Sequence, residues 1–133
     1  KGRRIAVWGL AFKPDTDDVR ESAAVDIAQR LCAQGAEVVA YDPKATENAK
    51  QVLAESVTFA PTAVDAAMGA EALVVLTEWP EFRDVSFSTL KDLMLEPRIF
   101  DGRNHLADLH LGDLGFTYHG VGLGREINGS RRL

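Results

Sequence analysis

Two short runs of the sequence, IAVW at residues 5–8 and LVVL at residues 73–76, are apolar at every position. A strand that faces water on one side alternates apolar and polar residues, whereas a strand covered on both sides reads as a continuous apolar run. Strands of the second kind belong almost only to parallel sheets that carry helices on both faces. These two runs therefore restrict the chain to α/β architectures.

The rest of the chain continues the alternation of strand and helix. Further β-rich runs are separated by segments with apolar residues at helical spacing, which is typical of repeated βα units. We predict strands at residues 3–9, 36–42, 56–60, 71–77, 98–102 and 116–122. We predict helices at residues 22–34, 45–55, 62–69 and 86–94, and a short turn near residues 108–114. The predicted fold is a Rossmann-like, doubly wound, mainly parallel sheet of about six strands with helices on both faces.

The bulk properties fit one acidic domain. The chain has 133 residues, a net charge of −5 and a pI near 5.1. We assign residues 1–125 to one domain and residues 126–133 to a flexible tail. Because nucleic acids require a basic surface, the acidity argues against a nucleic-acid partner. An anion bound here must be held by a few local cations rather than by the overall field.

Several other classes of site are disfavoured. The one cysteine, Cys32, cannot form an internal disulfide, which favours a reducing, cytoplasmic location. No apolar run approaches the ~20 residues that a membrane span needs, so we expect no membrane contact. The histidines lack metal-ligand spacing and no nucleophile lies beside a base, so we predict neither a metal nor a catalytic residue. The chain begins at Lys1 rather than methionine, and we expect it to be a piece of a longer protein.

The predicted sheet indicates where a ligand should bind. In open parallel sheets, ligands lie outside the carboxyl ends of the strands, where the winding reverses. In Rossmann-like order that reversal lies between the first and fourth strands. The loops after Gly9, Thr77 and Asp101 meet there, and they carry the most unusual polar residues of the chain.

The loop after the first strand does not have the dinucleotide fingerprint. That fingerprint, G-x-G-x-x-G, lets the backbone approach a pyrophosphate. Here Gly9 is followed by Leu10, Ala11 and Phe12, whose side chains would crowd one. Asp42 occupies the place of a ribose-binding acid, but we favour a turn or a helix cap, since Pro43 follows it. Dinucleotide binding in the usual mode is therefore disfavoured.

Two basic residues are candidates for phosphate binding. Pro14 biases Lys13 toward an extended backbone, and a lysine held near the switch point can act as a point charge for phosphate. Phe12 offers a flat apolar face for a base or sugar. Arg103 emerges from a buried strand, where its guanidinium can bind a diphosphate in bidentate fashion. A surface lysine beside a core phenylalanine, and an Asp-Gly turn with a surface arginine, are the alternatives.

Acidic residues surround Arg20, at positions 15, 17, 18 and 21. We interpret most of them as caps of the next helix, which also keep the neighbouring cations charged. In the loop after residue 76, we interpret Trp79 and Phe82 as a hydrophobic lid on the sheet edge. Thr77 and Glu78 lie nearer the predicted crevice and remain candidates for a role there.

Four segments, in this order, resemble the C-terminal domain of the UDP-glucose/GDP-mannose dehydrogenase family. They are GLAFKPDTDDVRESAA (residues 9–24), AYDP (40–43), LVVLTEWPEF (73–82) and IFDGRN (99–104). The resemblance spans residues 3–125. Ala23 stands where the family has proline at the first helical position, a change that should disturb little.

The resemblance implies a division of labour in a larger enzyme. In this family an N-terminal Rossmann domain binds NAD, a central helical region forms the homodimer, and the catalytic cysteine lies in those upstream parts. The C-terminal domain closes over the nucleotide sugar. The resemblance thus assigns Phe12, Lys13 and Arg103 to the UDP-sugar, and Arg20 to the pyrophosphate of NAD across the interdomain cleft. Cys32 lacks the sequence context of the family's nucleophile.

Within the family, the segments are most similar to those of enzymes that oxidise UDP-glucose to UDP-glucuronate. This implies NAD as the cofactor, bound mainly by the upstream domain, and an inactive C-terminal fragment. UDP-N-acetylmannosamine and GDP-mannose dehydrogenases are the alternatives. A non-catalytic Rossmann-like interaction module, favoured by the incomplete glycine loop, is a further one.

Overall fold

Six parallel strands form a single sheet in the computed structural model, which describes residues 3–11, 23–53 and 57–120. The strands are β1 Arg4–Trp8, β2 Glu37–Tyr41, β3 Val57–Phe59, β4 Ala72–Val75, β5 Arg98–Asp101 and β6 Thr117–Gly120. Their order across the sheet is β3-β2-β1-β4-β5-β6. This is the doubly wound Rossmann order, so the predicted fold class is confirmed.

The predicted helices are present, each somewhat shorter than predicted. They are α1 Ala23–Ala33, α2 Thr46–Leu53, α3 Ala63–Ala67 and α4 Phe87–Leu93. Short 3₁₀ segments cover Pro80–Asp84, Ala107–Leu109 and Leu111–Leu114, the first of which was not predicted. Gly35, at a φ of 95°, follows α1 and donates its N–H to the carbonyl of Cys32, which is the expected glycine stop of a helix.

The sheet separates two apolar layers. Alternate residues of β1 enter different layers: Val7 packs with α1 and α2, whereas Ala6 and Trp8 pack with α3 and α4. The same division continues in β4, where Leu73 belongs to the second layer. The continuous apolar runs thus have the two-sided burial that their sequence predicts.

The change of winding direction lies between β1 and β4, as predicted. The N–H of Leu76 donates to the carbonyl of Trp8 (2.9 Å), and the N–H of Gly102 donates to the carbonyl of Val75 (2.9 Å). The loops that leave the strands therefore start side by side. We call residues 9–11, 42–45, 76–79 and 102–106 the carboxyl edge.

Membrane-spanning helices and clusters of metal ligands are two features that the described residues do not contain. Across residues 3–11, 23–53 and 57–120, no helix is long and apolar enough to cross a bilayer. In the same ranges, no three acidic, histidine or cysteine side chains are grouped so as to hold a metal ion. Residues 121–133, which include the predicted tail, lie outside the described residues.

Candidate ligand-binding edge of the sheet

Of the four residues predicted to bind substrate or cofactor, the structure describes Arg103. Phe12, Lys13 and Arg20 lie outside the described residues, as do the acidic positions around Arg20. Their roles remain predictions. Arg103 lies at the carboxyl edge, two residues after the end of β5, and 43 % of its side chain is exposed.

A buried carboxylate shapes the turn that carries Arg103. Asp101 is 1 % exposed, and its Oδ1 accepts the N–H of Arg103 at 3.1 Å. Its Oδ2 accepts the N–H of Leu106 (2.7 Å) and the hydroxyl of Tyr118 (2.8 Å). Burial and this hydrogen bond raise the pKa of Tyr118, so the phenol stays a neutral donor. The Asp-Gly turn, which the sequence offers as an alternative, is present and is fixed by its own first residue.

The side chain of Arg103 is paired with Glu78 from the loop after β4. One carboxylate oxygen, Oε1, accepts both the Nε–H (3.1 Å) and an Nη2–H (2.8 Å). The pair is half-exposed and connects two loops of the carboxyl edge. The sequence makes Glu78 a candidate for the crevice without assigning it a role. In the structure it is hydrogen-bonded to Arg103, the residue predicted to bind phosphate.

Asp42 holds the start of the loop after β1 in place. It is 3 % exposed, and both of its carboxylate oxygens accept N–H groups. Oδ1 accepts from the backbone of Lys44 (2.8 Å) and Ala45 (2.7 Å), and Oδ2 accepts from the backbone of Leu10 (2.8 Å) and Ala11 (3.1 Å) and from Trp79 Nε1 (3.0 Å). Of the two predicted roles, a turn or a helix cap, the turn is the one observed, since Oδ1 accepts from two residues that precede α2.

These contacts do not fit dinucleotide binding by this loop in the usual mode. In that mode the acid after the second strand binds a ribose and the glycine loop approaches the pyrophosphate. Here the amides of Leu10 and Ala11 donate to Asp42, whose two oxygens already accept five N–H groups. The group that resembles a ribose ligand is instead a support for the backbone.

Gly9 is required by a close approach to Thr77. Its φ is +98°, and a Cβ there would lie 2.5 Å from the Cβ of Thr77. Thr77 is 1 % exposed and donates its hydroxyl to the carbonyl of Ala11 (3.0 Å). Thr77, a candidate for the crevice, therefore supports the loop from inside the domain.

The interpretation of Trp79 and Phe82 as a hydrophobic lid on the sheet edge needs a correction, because neither side chain forms an outer cover. Both side chains are buried, and the ring of Phe82 lies 5.0 Å from that of Trp8 in the core. The indole N–H of Trp79 donates to Asp42. They are components of the core beneath the edge rather than a cover over it.

A group of hydrogen bonds made by Arg83 and His105 supports the loop after β5, and the sequence did not predict it. His105 Nε2 lies 2.7 Å from the carbonyl of Trp79, so this nitrogen carries the proton. Arg83 donates to the carbonyl of His105 (2.7 Å) and to Asp108 (2.7 Å), and it lowers the pKa of the Asp108 carboxyl. The partners are more than twenty residues apart, so no local pattern in the sequence indicates them.

Comparison with known proteins agrees with the resemblance. The family model described as "UDP-glucose/GDP-mannose dehydrogenase family, UDP binding domain" matches residues 6–108. UDP-glucose 6-dehydrogenase YwqF of Bacillus subtilis is 43 % identical over 122 residues, covering 91 % of this chain and 28 % of the relative. UDP-glucose 6-dehydrogenase of Pseudomonas aeruginosa is 39 % identical over 127 residues, covering 92 % of this chain and 28 % of the relative. The chain thus spans little more than a quarter of these relatives.

Solved structures give the same result. A UDP-glucose dehydrogenase from Pyrobaculum islandicum has a TM-score of 0.69 and 38 % identity, covering 77 % of this chain and 22 % of that one. A UDP-D-ManNAc dehydrogenase from Pyrococcus horikoshii has a TM-score of 0.70 and 30 % identity, covering 92 % of this chain and 26 % of that one. Sequence, fold and family model agree, and the chain belongs to the UDP-glucose/GDP-mannose dehydrogenase family, in which it corresponds to the UDP-binding domain.

Proposed function

We propose that the chain is the C-terminal nucleotide-sugar-binding domain of an NAD-dependent UDP-glucose 6-dehydrogenase, and that its carboxyl edge binds the diphosphate of UDP-glucose. The observation that carries this proposal is the position of Arg103. Its guanidinium is half-exposed at the ligand-binding edge, on a turn that a buried carboxylate fixes. The matched family model is a UDP-binding domain.

The chemistry of Arg103 suits a diphosphate. Since the chain carries a net charge of −5, attraction of an anion must come from a local cation. Glu78 takes the Nε–Nη2 side of the guanidinium, and Nη1 makes no hydrogen bond to any residue in the described ranges. The Nη1–Nη2 end of the fork is the part that can donate to two phosphate oxygens.

The loop after β1 supplies the other proposed contacts. Asp42 fixes the amides of Leu10 and Ala11, so the backbone enters positions 12 and 13 from a held conformation. We assign Phe12 to an apolar contact with the nucleotide sugar and Lys13 to its negative charge. The support for this assignment is the resemblance together with the held residues that precede them.

NAD is assigned to the upstream domain of the complete enzyme. The β1 loop of this chain does not fit the cofactor in the usual mode, because its first amides and Asp42 are bound to each other. Bound upstream, NAD would supply the oxidant for removal of a hydride from the C6 alcohol of the sugar. The part of this chain is to bind and orient the UDP-sugar, with Arg20 proposed to reach the cofactor's pyrophosphate across the cleft. A cytoplasmic homodimer is the proposed assembly.

A UDP-N-acetylmannosamine dehydrogenase is the second candidate. The structure from Pyrococcus horikoshii supports it, with 30 % identity over 92 % of this chain. The relatives named as UDP-glucose enzymes are more similar, at 36 to 43 % identity. UDP-glucose is therefore the substrate that we propose.

The experiment is a titration of the ¹⁵N-labelled chain with UDP, followed by amide NMR. We expect shifts at residues 9–11, 77–79 and 101–106, since these lie with Arg103 at the carboxyl end of the strands. The amides of residues 69–71, 96 and 98, at the opposite end of the strands, are the internal control. Shifts confined to the control residues, or no shifts at millimolar UDP, would contradict the proposal.

A further inference from the structure

We propose that Glu78 is a positioning residue, which orients the guanidinium of Arg103 so that its Nη1–Nη2 end faces the diphosphate. The inference rests on the proposed function, since it requires Arg103 to bind that group. It concerns a residue that neither the comparisons nor the family resemblance assigns to the site.

The geometry of the pair is selective. Both hydrogen bonds from Arg103 converge on one oxygen of Glu78, Oε1, and they use only the Nε–Nη2 side of the guanidinium. Because the guanidinium is planar and rigid, two bonds on one side fix the direction of the whole group. Nη1 is bound by none of the described residues, so the Nη1–Nη2 end of the guanidinium can receive a ligand.

Both partners are held by buried neighbours. Glu78 lies between Thr77 and Trp79, which are 1 % and 4 % exposed. Thr77 donates to the carbonyl of Ala11, and Trp79 donates to Asp42. The residue before Glu78 is thus attached to the loop after β1, and the residue after it is attached to Asp42 at the end of β2.

Arg103 is held equally well from its own side. Its N–H donates to the buried carboxylate of Asp101 at 3.1 Å. With both backbones held, the conformational entropy that the pair still loses is that of the two side chains alone. Such an arrangement keeps a binding group in its bound orientation before the ligand arrives, which favours affinity.

The alternative is that Glu78 merely competes with the ligand for Arg103. A carboxylate beside a phosphate site repels the incoming anion, so on that alternative its removal would strengthen binding. Positioning predicts the opposite sign. The two explanations are thus separated by the direction of one measured change.

The test measures KM and kcat for UDP-glucose in a complete dehydrogenase that carries this domain. Glu78→Ala should raise KM about fivefold with kcat little changed, since binding of the ground state and the transition state is weakened alike. Glu78→Gln retains a single oxygen acceptor at the same place. It should therefore restore KM to within about twofold of the wild type.

Glu96→Ala is the matched control. Glu96 pairs with Arg98 at 2.7 Å and both side chains are 42 % exposed, close to the 43 % and 41 % of Arg103 and Glu78. This pair lies at the other end of β5, so its loss should leave KM unchanged. Thermal unfolding should shift little in either alanine variant, because exposed ion pairs contribute little to stability.

Arg103→Ala separates failure of the inference from failure of the proposed function. If Arg103→Ala raises KM while Glu78→Ala leaves it unchanged or lowers it, the positioning role is overturned and the proposed function stands. If Arg103→Ala leaves KM unchanged, the proposed function fails first. If the double variant is no worse than Arg103→Ala alone, Glu78 acts through Arg103 as proposed.

Discussion

The two edges of the sheet use charged residues in different ways. At the amino edge, which we define as residues 3–4, 37, 69–71 and 96–98, acidic and basic side chains form exposed ion pairs. These pairs are Arg3–Glu71 (2.7 Å), Arg4–Glu37 (3.6 Å) and Arg98–Glu96 (2.7 Å). At the carboxyl edge, the carboxylates of Asp42 and Asp101 are buried and accept mostly backbone N–H groups.

This difference makes the carboxyl edge the more rigid of the two, and it supports the proposal that a ligand binds there. An exposed ion pair contributes about 0–1 kcal/mol to stability. Removal of a buried acceptor leaves its N–H donors without a hydrogen bond, which costs about 1–3 kcal/mol for each donor. The carboxyl edge is thus held in one conformation, whereas the amino edge is only loosely constrained. Fixed loops at one edge are what a preorganised binding site requires.

The largest expected effect is the loss of Asp42. Asp42→Ala leaves five N–H groups without their acceptor, and it should lower the free energy of unfolding by about 3–5 kcal/mol. Glu71→Ala at the amino edge removes one exposed pair and should cost less than about 1 kcal/mol. Denaturant titration of both variants measures the difference. Similar losses in the two variants would remove the contrast between the edges.

A smaller effect is expected at two glycines with left-handed backbones. Gly9 (φ +98°) touches Thr77 at the carboxyl edge, whereas at Gly69 (φ +73°), on the amino edge, a Cβ would meet no described atom within 4 Å. Gly69→Ala should cost about 1–2 kcal/mol from backbone strain alone. Gly9→Ala adds a steric conflict and should cost about 3 kcal/mol or more, which denaturant titration of the two variants would measure. Equal losses would mean that the loop after β1 can move away from Thr77.

The fold was predictable because its main signals are local. Uninterrupted apolar runs at residues 5–8 and 73–76 indicate buried parallel strands, and the polar loops that follow them indicate the edge where ligands bind. The turns at Asp101 and Asp42 were also predictable, since Asp followed by Gly or Pro favours a turn. Each of these signals is contained within a few neighbouring residues.

The supports of the site were not predictable in the same way. Asp42 reaches Leu10 across 32 positions and Trp79 across 37, and Arg103 reaches Glu78 across 25. Such contacts depend on how the strands are ordered in the sheet, and no spacing in the sequence carries that information. Trp79 is an example. Its position after a strand indicates an exposed edge, but its indole is buried and donates a hydrogen bond to Asp42.

The most direct test of the central claim compares two arginines at opposite ends of β5. Arg103 and Arg98 are about equally exposed and each is paired with one glutamate, but only Arg103 lies at the carboxyl edge. In a complete dehydrogenase, Arg103→Ala should raise the KM for UDP-glucose about tenfold, because a charged hydrogen bond to the diphosphate is lost. Arg98→Ala should leave that KM unchanged. Equal effects of the two substitutions, or no effect of Arg103→Ala, would contradict the claim that this edge binds the nucleotide sugar.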